Sequence, residues 1–135
     1  MKVVVYAGGT PPTRAHEGDA GLDLYSPIDI IIPGKDAGII DTLVAVEIPE
    51  GFFGDIRSRS SLMKKGITTD GTIDSNYRGH IRIVLFNHSC KAYEVHAGDR
   101  IAQMVIEPYR ADKIEIVSEL SETDRNTGGF GSTGK

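Results

Sequence analysis

Short hydrophobic runs separated by turn-forming residues dominate this chain. The runs are rich in valine, isoleucine and aromatic residues, which favour β-strands. Turn residues such as Pro33-Gly34 and Ala97-Gly98-Asp99 stand between them. Many short strands at this spacing indicate an all-β sandwich or barrel. The predicted strands are Lys2–Tyr6, Leu22–Tyr25, Ile28–Ile32, Leu43–Ile48, Phe52–Arg57, His80–Phe86, Lys91–Val95, Ile101–Glu107 and Ile114–Val117.

The segment 60–66 departs from the strand pattern. It begins with two serines, continues with residues that favour a helix, and ends at Gly66. A serine cap and a glycine stop predict a helix of one or two turns. Arg59, Ser60 and Ser61 would then meet at the helix start, where backbone N–H groups, hydroxyls and a guanidinium favour an anion. The alternative is an ordinary capped helix with a solvated arginine.

Composition predicts one soluble domain. The chain has 135 residues, 39% of them hydrophobic and 25% charged, which is ordinary for a globular protein. The net charge of −4 argues against a nucleic-acid partner. No apolar run approaches the roughly 20 residues of a membrane span, and the apolar start is too short for a secretory signal. Because Cys90 is the only cysteine, we expect a reducing, cytoplasmic compartment.

The stretch 71–79 places polar residues close together after an apolar residue. Asp74 follows Ile73, and Tyr77 and Arg78 come directly after the turn-forming Ser75 and Asn76. A hairpin turn explains the serine, the asparagine and the final glycine. A buried carboxylate beside a phosphate site would be a candidate general base for water. The alternative is that Asp74 merely caps the turn.

The tail 125–135 is rich in glycine and carries one arginine and one aromatic residue. Residues 129–135 match the phosphate-loop pattern G-x-x-x-x-G-K. That pattern requires a preceding strand and a following helix, and both are missing. We therefore expect a flap that is mobile when empty and folds over an anionic, ring-bearing ligand.

Together these segments resemble the trimeric dUTPase family, the deoxyuridine triphosphate nucleotidohydrolases. The resemblance runs from about Pro12 to Gly134 and covers five motifs in the family's order. Any one motif is weak evidence, but five in order at compatible spacing are very specific. The motifs are Ala20–Ser26, Arg59–Leu62 with Lys65-Gly66, Gly71–Gly79 extended to Asn87, Gly98–Gln103 and Arg125–Gly134.

The resemblance implies an all-β distorted barrel or jelly roll, in residues 1–120, with one short helix after the Arg-Ser-Ser motif. Residues 121–135 would form a flexible, glycine-rich lid. It also implies a homotrimer whose active sites combine motifs from different subunits. The implied reaction is hydrolysis of dUTP to dUMP and pyrophosphate by water attack on the α-phosphorus. This reaction limits uracil incorporation into DNA and supplies dUMP for thymidylate synthesis.

The resemblance also assigns roles to single residues. Asp74 would activate the attacking water, and Mg²⁺ would bind the triphosphate with help from Asp23, through water. An ion pair between Asp23 and Arg59 is an alternative that could hold as well. Arg59, Ser60, Ser61 and Gln103 would bind phosphates; Tyr77 would pack on the deoxyribose; Gly71, Thr72, Ile73 and Arg82 of the hairpin would surround uracil; and Arg125, Phe130 and Gly131 would close over the ligand.

Some positions depart from the family pattern. Thr68 stands where many members carry an asparagine that binds the base, so we count Thr68 among the substrate-binding residues. The loop before Asp74 is about two residues shorter than in many cellular members, which allows a phage or viral origin, and Asn126 stands where glycine is frequent. A cellular bacterial origin stays open.

Two other functions were weighed. A dCTP deaminase shares the Arg-Ser-Ser motif but needs a glutamate three residues before Asn87, where this chain has Val84. A regulatory protein that binds a repressor is the second, as an addition to catalysis. The strand 54–57 and the acidic segment 118–124 are the places where such a partner could dock.

Overall fold

Antiparallel β-strands form most of the regular structure in the computed structural model, which describes residues 1–128. No helix in this part of the chain is long and apolar enough to cross a membrane. In chain order the elements are β1 (Lys2–Val5), β2 (Gly21–Tyr25), β3 (Ile30–Ile32), β4 (Ala37–Asp41), β5 (Val44–Glu47), β6 (Phe52–Arg57), α1 (Ser60–Met63), β7 (Ile67–Thr68), β8 (Asp70–Ile73), β9 (Arg82–Asn87), β10 (Tyr93–Val95) and β11 (Arg100–Pro108).

The strands between residues 1 and 128 form four sheets. The largest has the order β2-β11-β6-β8, and a second has the order β4-β9-β7. Two-stranded pairs, β1-β5 and β10-β3, complete the set. This architecture, with one short helix directly after Arg59, confirms the predicted all-β fold class.

Alternating side chains place the core between the sheets. In β9, Ile83 and Leu85 are fully buried while Arg82 and Phe86 face outward. This period of two is the geometry of a strand with one buried face. Burial of each large aliphatic side chain contributes about 2 kcal/mol. The largest buried members are Leu24, Ile32, Ile40, Ile67, Ile81, Ile83, Leu85, Ile101 and Met104.

Strand β11 sets the register of the motifs. It pairs with β2 on one side and with β6 on the other, so that Gln103 lies opposite both Asp23 and Arg57. Strand β8 pairs with the other edge of β6, with Asp70 opposite Arg57. Residues from four distant parts of the sequence therefore meet across one sheet.

The predicted strand elements differ from the structure in several places. Three strands were not predicted: β4, β7 and β8. The predicted strand Ile114–Val117 is wrong, because this segment has no strand partner within the described residues and Ile114 and Ile116 are almost fully exposed. An apolar alternation forms a strand only where a partner supplies the backbone hydrogen bonds, and residues 1–128 provide none for this segment.

Leu43, between β4 and β5, adopts a left-handed backbone conformation with φ of 56°. A bulky side chain is rare there because the Cβ crowds the backbone. Two hydrogen bonds hold the turn: Leu43 N–H donates to Asp41 Oδ1 (2.9 Å), and its carbonyl accepts from Tyr6 N–H (2.9 Å). The surrounding contacts therefore maintain a strained residue.

We predict that Leu43→Gly is more stable than Leu43→Ala. Both variants lose the same half-buried leucine packing, but only glycine relieves the left-handed strain, which is worth about 1 kcal/mol. Urea denaturation at a fixed protein concentration measures the difference. Leu22, buried in the extended strand β2, is the matched control, and there the alanine variant should be the more stable one. An alanine variant at position 43 that is as stable as the glycine variant would contradict the strain.

Candidate functional site

A cleft of about 440 Å³ lies at the start of α1. It brings together residues from three of the sequence motifs, carried by β2, by the β6–α1 junction and by β11. Three arginines and two aspartates line it, so its charge balance favours an anion. The lining residues are Ala15, Asp19, Ala20, Gly21, Asp23, Arg57, Arg59, Ser60, Ser61, Arg100, Gln103 and Val105.

Asp23 organises the cations of this cleft. One of its carboxylate oxygens accepts from Arg59 Nε at 3.0 Å, and the other accepts from an Arg100 terminal nitrogen at 3.2 Å. Only 12% of the Asp23 side chain is exposed, so these charged hydrogen bonds form with little competing water. The expected ion pair between Asp23 and Arg59 is confirmed.

The two serines at the helix start face solvent. The helix cap is Arg59, in an extended conformation, and no side chain caps the helix. The predicted serine cap is therefore wrong, while Gly66, with φ of 77°, does end the segment. Because Ser60 and Ser61 are exposed and line the cleft, their hydroxyls are available to a ligand.

Gln103 lines the same cleft from the centre of the sheet. It is half-buried, and its Nε2 donates to the Ser58 carbonyl at 3.2 Å. The bond holds the side-chain amide between β11 and the segment that leads into α1. Gln103 therefore lines the same cleft as Arg59 and the serines.

Arg57 and Arg100 belong to the cleft but were not predicted as site residues. Hydrogen bonding of Arg57 to Asp55 (2.6 Å), with further attraction from Glu107, raises its pKa above the ordinary value. Arg57 therefore stays charged but is already engaged. The signal for Arg100 was present in the sequence, since it lies within the fourth motif, three residues before Gln103.

A second, smaller cleft of about 180 Å³ contains the residues of the third motif. Thr72, Ile73, Asp74, Tyr77, His80 and Arg82 line it. The turn after β8 closes through Tyr77 N–H, which donates to the Asp74 carbonyl at 3.1 Å. This turn carries the predicted general base and the predicted sugar-packing ring on one small surface.

Asp74 is exposed in the single chain, so the buried carboxylate expected from the sequence is not found there. Within residues 1–128 its side chain has no hydrogen-bond or ion-pair partner. The role of turn cap through the side chain is therefore not supported. An exposed, unengaged carboxylate is open to a water molecule or a ligand.

Thr68 and Gly71 lie outside the lining of both clefts. Thr68 belongs to β7, in the other large sheet, where its hydroxyl lies 2.7 Å from His88 Nε2. Gly71 is exposed and pairs with Ile56 across β8 and β6.

The two clefts share no lining residue, and they are centred on different positions along the same sheet. Asp70 pairs with Arg57 at the end near α1, while Ile73 pairs with Gly54 further along β6. Asp74 is therefore displaced from the level of Arg57 by about 13 Å along the strands. Within one chain, the arginines and serines of the first cleft and Asp74 therefore do not line a common cleft.

The described part of the tail turns back on itself. Arg125 Nε donates to the Gly128 carbonyl at 2.8 Å, and Asn126 adopts a left-handed conformation with φ of 42°. Arg125 therefore does not reach either cleft in this structure. Phe130 and Gly131, predicted to contact the base, lie outside the described residues.

The side chains of the first cleft suit an Mg²⁺ ion that arrives bound to a phosphate ligand, but not an Mg²⁺ ion held by the protein alone. Within residues 1–128 no group of three or more histidine, cysteine or acidic side chains could hold a metal. Asp23 is the buried carboxylate of the cleft, and both of its oxygens already accept from arginines. Mg²⁺ commonly keeps its waters and binds substrate phosphates with one or two carboxylates, and Asp23 fits such contact through water.

Comparisons with known proteins agree on one family. The dUTPase family model matches residues 8–134. The deoxyuridine 5'-triphosphate nucleotidohydrolase of Clostridium tetani is 52% identical over 129 residues, covering 92% of this chain and 88% of the relative.

Two solved phage structures are similar in fold. The Staphylococcus bacteriophage 80alpha dUTPase with dUPNHPP has a TM-score of 0.91 at 29% identity, covering 99% of this chain and 98% of that one. Its description states that phage dUTPases control transfer of virulence genes by a proto-oncogenic G protein-like mechanism. A mutant dUTPase from phage phi11 of S. aureus, described with a structural Mg(II) ion, has a TM-score of 0.80 at 27% identity, covering 87% of this chain and 96% of that one.

The family match spans nearly the whole chain, and the curated relative exceeds half identity over most of both sequences. Residues of the first, second and fourth motifs named from the sequence line the cleft at the start of α1, and residues of the third motif line the small cleft. The chain belongs to the dUTPase family.

Proposed function

We propose that this protein hydrolyses dUTP to dUMP and pyrophosphate by attack of water on the α-phosphorus. The observation that carries the proposal is the cleft at the start of α1, where distant parts of a dUTPase-family chain place paired arginines beside free serine hydroxyls. Such a cleft matches a triphosphate in charge and in hydrogen-bond donors. As in the sequence prediction, we expect it to act in the cytoplasm.

The phosphates would bind at Arg59, Ser60, Ser61 and Gln103. Arg59 uses its Nε on Asp23 and one terminal nitrogen on the Arg100 carbonyl (3.3 Å), which fixes the plane of the guanidinium. Its remaining N–H groups are then oriented before the ligand arrives. Donors fixed in advance stabilise developing charge without the cost of reorienting during the reaction.

The nucleoside would bind at the Asp74 turn. Tyr77 would pack on the deoxyribose, and the backbone of Gly71, Thr72 and Ile73 would bind the uracil edge, with Arg82 at the rim of the same cleft. A close-fitting hairpin leaves no space for the 5-methyl group of thymine. Thr68, which lies in the other large sheet beside His88, stays a proposed contributor.

Asp74 would act as the general base. Its carboxylate accepts a proton from the attacking water as the water oxygen bonds to the α-phosphorus. The bond from the α-phosphorus to the bridging oxygen then breaks, and pyrophosphate leaves. The exposure of Asp74 in the single chain leaves its oxygens free for this contact.

The separation of the two clefts supports a homotrimer with shared sites. Since Asp74 lies about 13 Å along the strands from the level of Arg57, one chain would bind the phosphates and another would bind the nucleoside. Exposed apolar residues on the single chain agree with such burial between subunits. They include Val4, Ile31, Ile39, Ile116 and Leu120.

Mg²⁺ would accompany the triphosphate, with Asp23 contacting it through water. The ion would neutralise phosphate charge and orient the α-phosphorus for in-line attack. The arginine contacts to both Asp23 oxygens make direct ligation unfavourable, because each such contact would have to be broken.

Residues 121–135 would close the site as a lid. Arg125 would reach the γ-phosphate, Phe130 would stack on uracil and Gly131 would allow close approach. The segment from Arg110 to Thr127 is exposed throughout, so none of its side chains is buried against the rest of the described chain. Closure would exclude water around the reacting phosphate.

A regulatory protein partner, such as a repressor, stays a prediction. The strand 54–57 is poorly suited to docking, because β6 is paired on both sides, and Gly54 and Ile56 are buried. The acidic segment 118–124 is exposed and is the better surface. A repressor-binding assay with and without dUTP would test this role.

We predict selective, Mg²⁺-dependent release of pyrophosphate from dUTP. The measurement compares kcat/KM for dUTP, UTP, dTTP and dCTP, with Mg²⁺ and after chelation. We expect at least about 100-fold selectivity for dUTP, because steric exclusion in a close-fitting pocket discriminates strongly. Absence of dUTP turnover would refute the activity, whereas equal rates on dTTP would refute only the close-fitting hairpin.

We predict complementation between two inactive variants. Asp74→Asn and Arg59→Ala should each lose most activity, on the order of 100-fold or more for the general base. If the two residues act from different subunits, a mixture unfolded and refolded together should recover roughly a quarter of the wild-type rate, because some sites then contain both intact residues. Each variant refolded alone is the control. No recovery in verified mixed trimers would place the whole site in one chain.

We predict that deletion of residues 125–135 leaves the fold and the trimer intact but removes most turnover. Light scattering and thermal melting report assembly and stability, and pyrophosphate release reports activity. A shorter deletion of residues 132–135, which keeps Phe130 and Gly131, is the matched control and should retain more activity. Loss of folding in the longer deletion would make the segment structural rather than a lid.

A further inference from the structure

A histidine–carboxylate pair lies beside the Asp74 turn and has no part in the reaction described above. His80 Nδ1 lies 3.1 Å from both carboxylate oxygens of Asp41. The His80 ring also packs against Tyr6, with 4.3 Å between ring centroids. Tyr6, directly after β1, and Asp41, at the end of β4, therefore fix the His80 side chain.

The backbone next to His80 is anchored in the core. Ile81 is fully buried, and its N–H donates to the Val44 carbonyl at 2.7 Å. Its carbonyl accepts from both the N–H (3.1 Å) and the hydroxyl (2.8 Å) of Thr42. With Ile81 fixed on one side and the His80 ring on the other, the His80 carbonyl has little freedom to move.

That carbonyl holds Tyr77. The Tyr77 hydroxyl donates to the His80 carbonyl at 3.0 Å, and the ring lies directly on Gly79, where an added Cβ would collide with it. The ring itself remains partly exposed, at 42%, and faces the small cleft beside Asp74. Gly79 against the ring and the His80 carbonyl at the hydroxyl thus determine the position of the Tyr77 ring.

We propose that His80 and Asp41 are positioning residues for sugar selectivity: by fixing the His80 carbonyl, they hold Tyr77 where its ring excludes a ribose 2′-hydroxyl. The inference depends on the proposed function, because it concerns the same nucleoside pocket. A ring that can shift would admit the extra hydroxyl of UTP. A ring held at both its face and its hydroxyl cannot shift without breaking these contacts.

The charges around the pair favour its persistence at neutral pH. Burial acts to raise the pKa of Asp41, but the Leu43 N–H, His80 and Arg82 (3.7 Å) together lower it below the ordinary value. A lowered pKa means that the carboxylate contributes stability above its unfolded pKa of about 3.9, and this contribution is lost only as the pH falls through the lower folded value. Arg78, the other cation nearby, is engaged with the Ser75 and Tyr77 carbonyls.

The central test is His80→Ala, measured as kcat/KM for dUTP and for UTP. We expect the dUTP-to-UTP ratio to fall roughly 3- to 10-fold, the range of a single hydrogen-bond contribution, chiefly because UTP turnover rises relative to dUTP. A purely structural role would lower both values together and leave the ratio unchanged. Such an unchanged ratio in a folded variant would overturn the proposal.

Further variants keep the test decisive. His80→Gln retains a donor for Asp41 and should restore most of the ratio. Tyr77→Phe keeps the ring but removes its hydroxyl, so it should lower the ratio even if His80→Ala fails to fold. An unchanged ratio in Tyr77→Phe also overturns the proposal.

The control variant is His96→Ala. It removes a histidine near other carboxylates, Asp29 and Glu94 (3.9 Å each), and should leave the dUTP-to-UTP ratio as in wild type. Absence of dUTP hydrolysis in the wild type would instead refute the proposed function.

Discussion

The cleft at the start of α1 depends on the contacts of the Asp23 carboxylate with two arginines. This carboxylate is nearly buried and binds two guanidinium groups, one from the start of α1 and one from the start of β11. Like charges of that kind would otherwise repel each other across the cleft. A single acidic side chain therefore allows two cations to stand close together while their outer N–H groups stay free. The backbone around Asp23 is itself fixed, because it exchanges hydrogen bonds with Thr13 on one side and pairs with β11 on the other.

The antiparallel sheet separates the residues of this cleft from the Asp74 turn. Strand β6 carries the cleft at one end and, through β8, the Asp74 turn at the other. The two sites keep this separation because buried residues such as Ile56 and Met104 fix the register of the strands between them. In the proposed trimer, each chain would supply two preformed surfaces to two different active sites. The fixed register suits a site that is assembled by docking such surfaces.

The sequence was most informative where a physical requirement is local. Alternating apolar residues located most strands, and the Arg-Ser-Ser segment located the helix, because a helix start and a strand face both leave short-range patterns. The strands β4, β7 and β8 were not predicted. Gly38 in β4 and Gly71 in β8 have low strand propensity, and β7 is only two residues long, so these strands are defined by the strands that pair with them. Ile114–Val117 failed for the opposite reason: its pattern is strand-like, but the described chain gives it no partner. The engagement of both Asp23 oxygens and the exposure of Asp74 depend on distances across the sheet, which no spacing along the chain reports.

One carboxylate, that of Asp41, serves two neighbours at once. It accepts the N–H of the strained Leu43 and also binds His80, so the backbone turn and the histidine share a single residue. A glycine at position 43 would adopt its conformation without that support, and Asp41 would then be free to change at smaller cost to the fold. With leucine in place, any change at position 41 disturbs both partners together. The two positions are therefore coupled in the mutations they tolerate, and the order in which substitutions arise decides which of them the protein can survive.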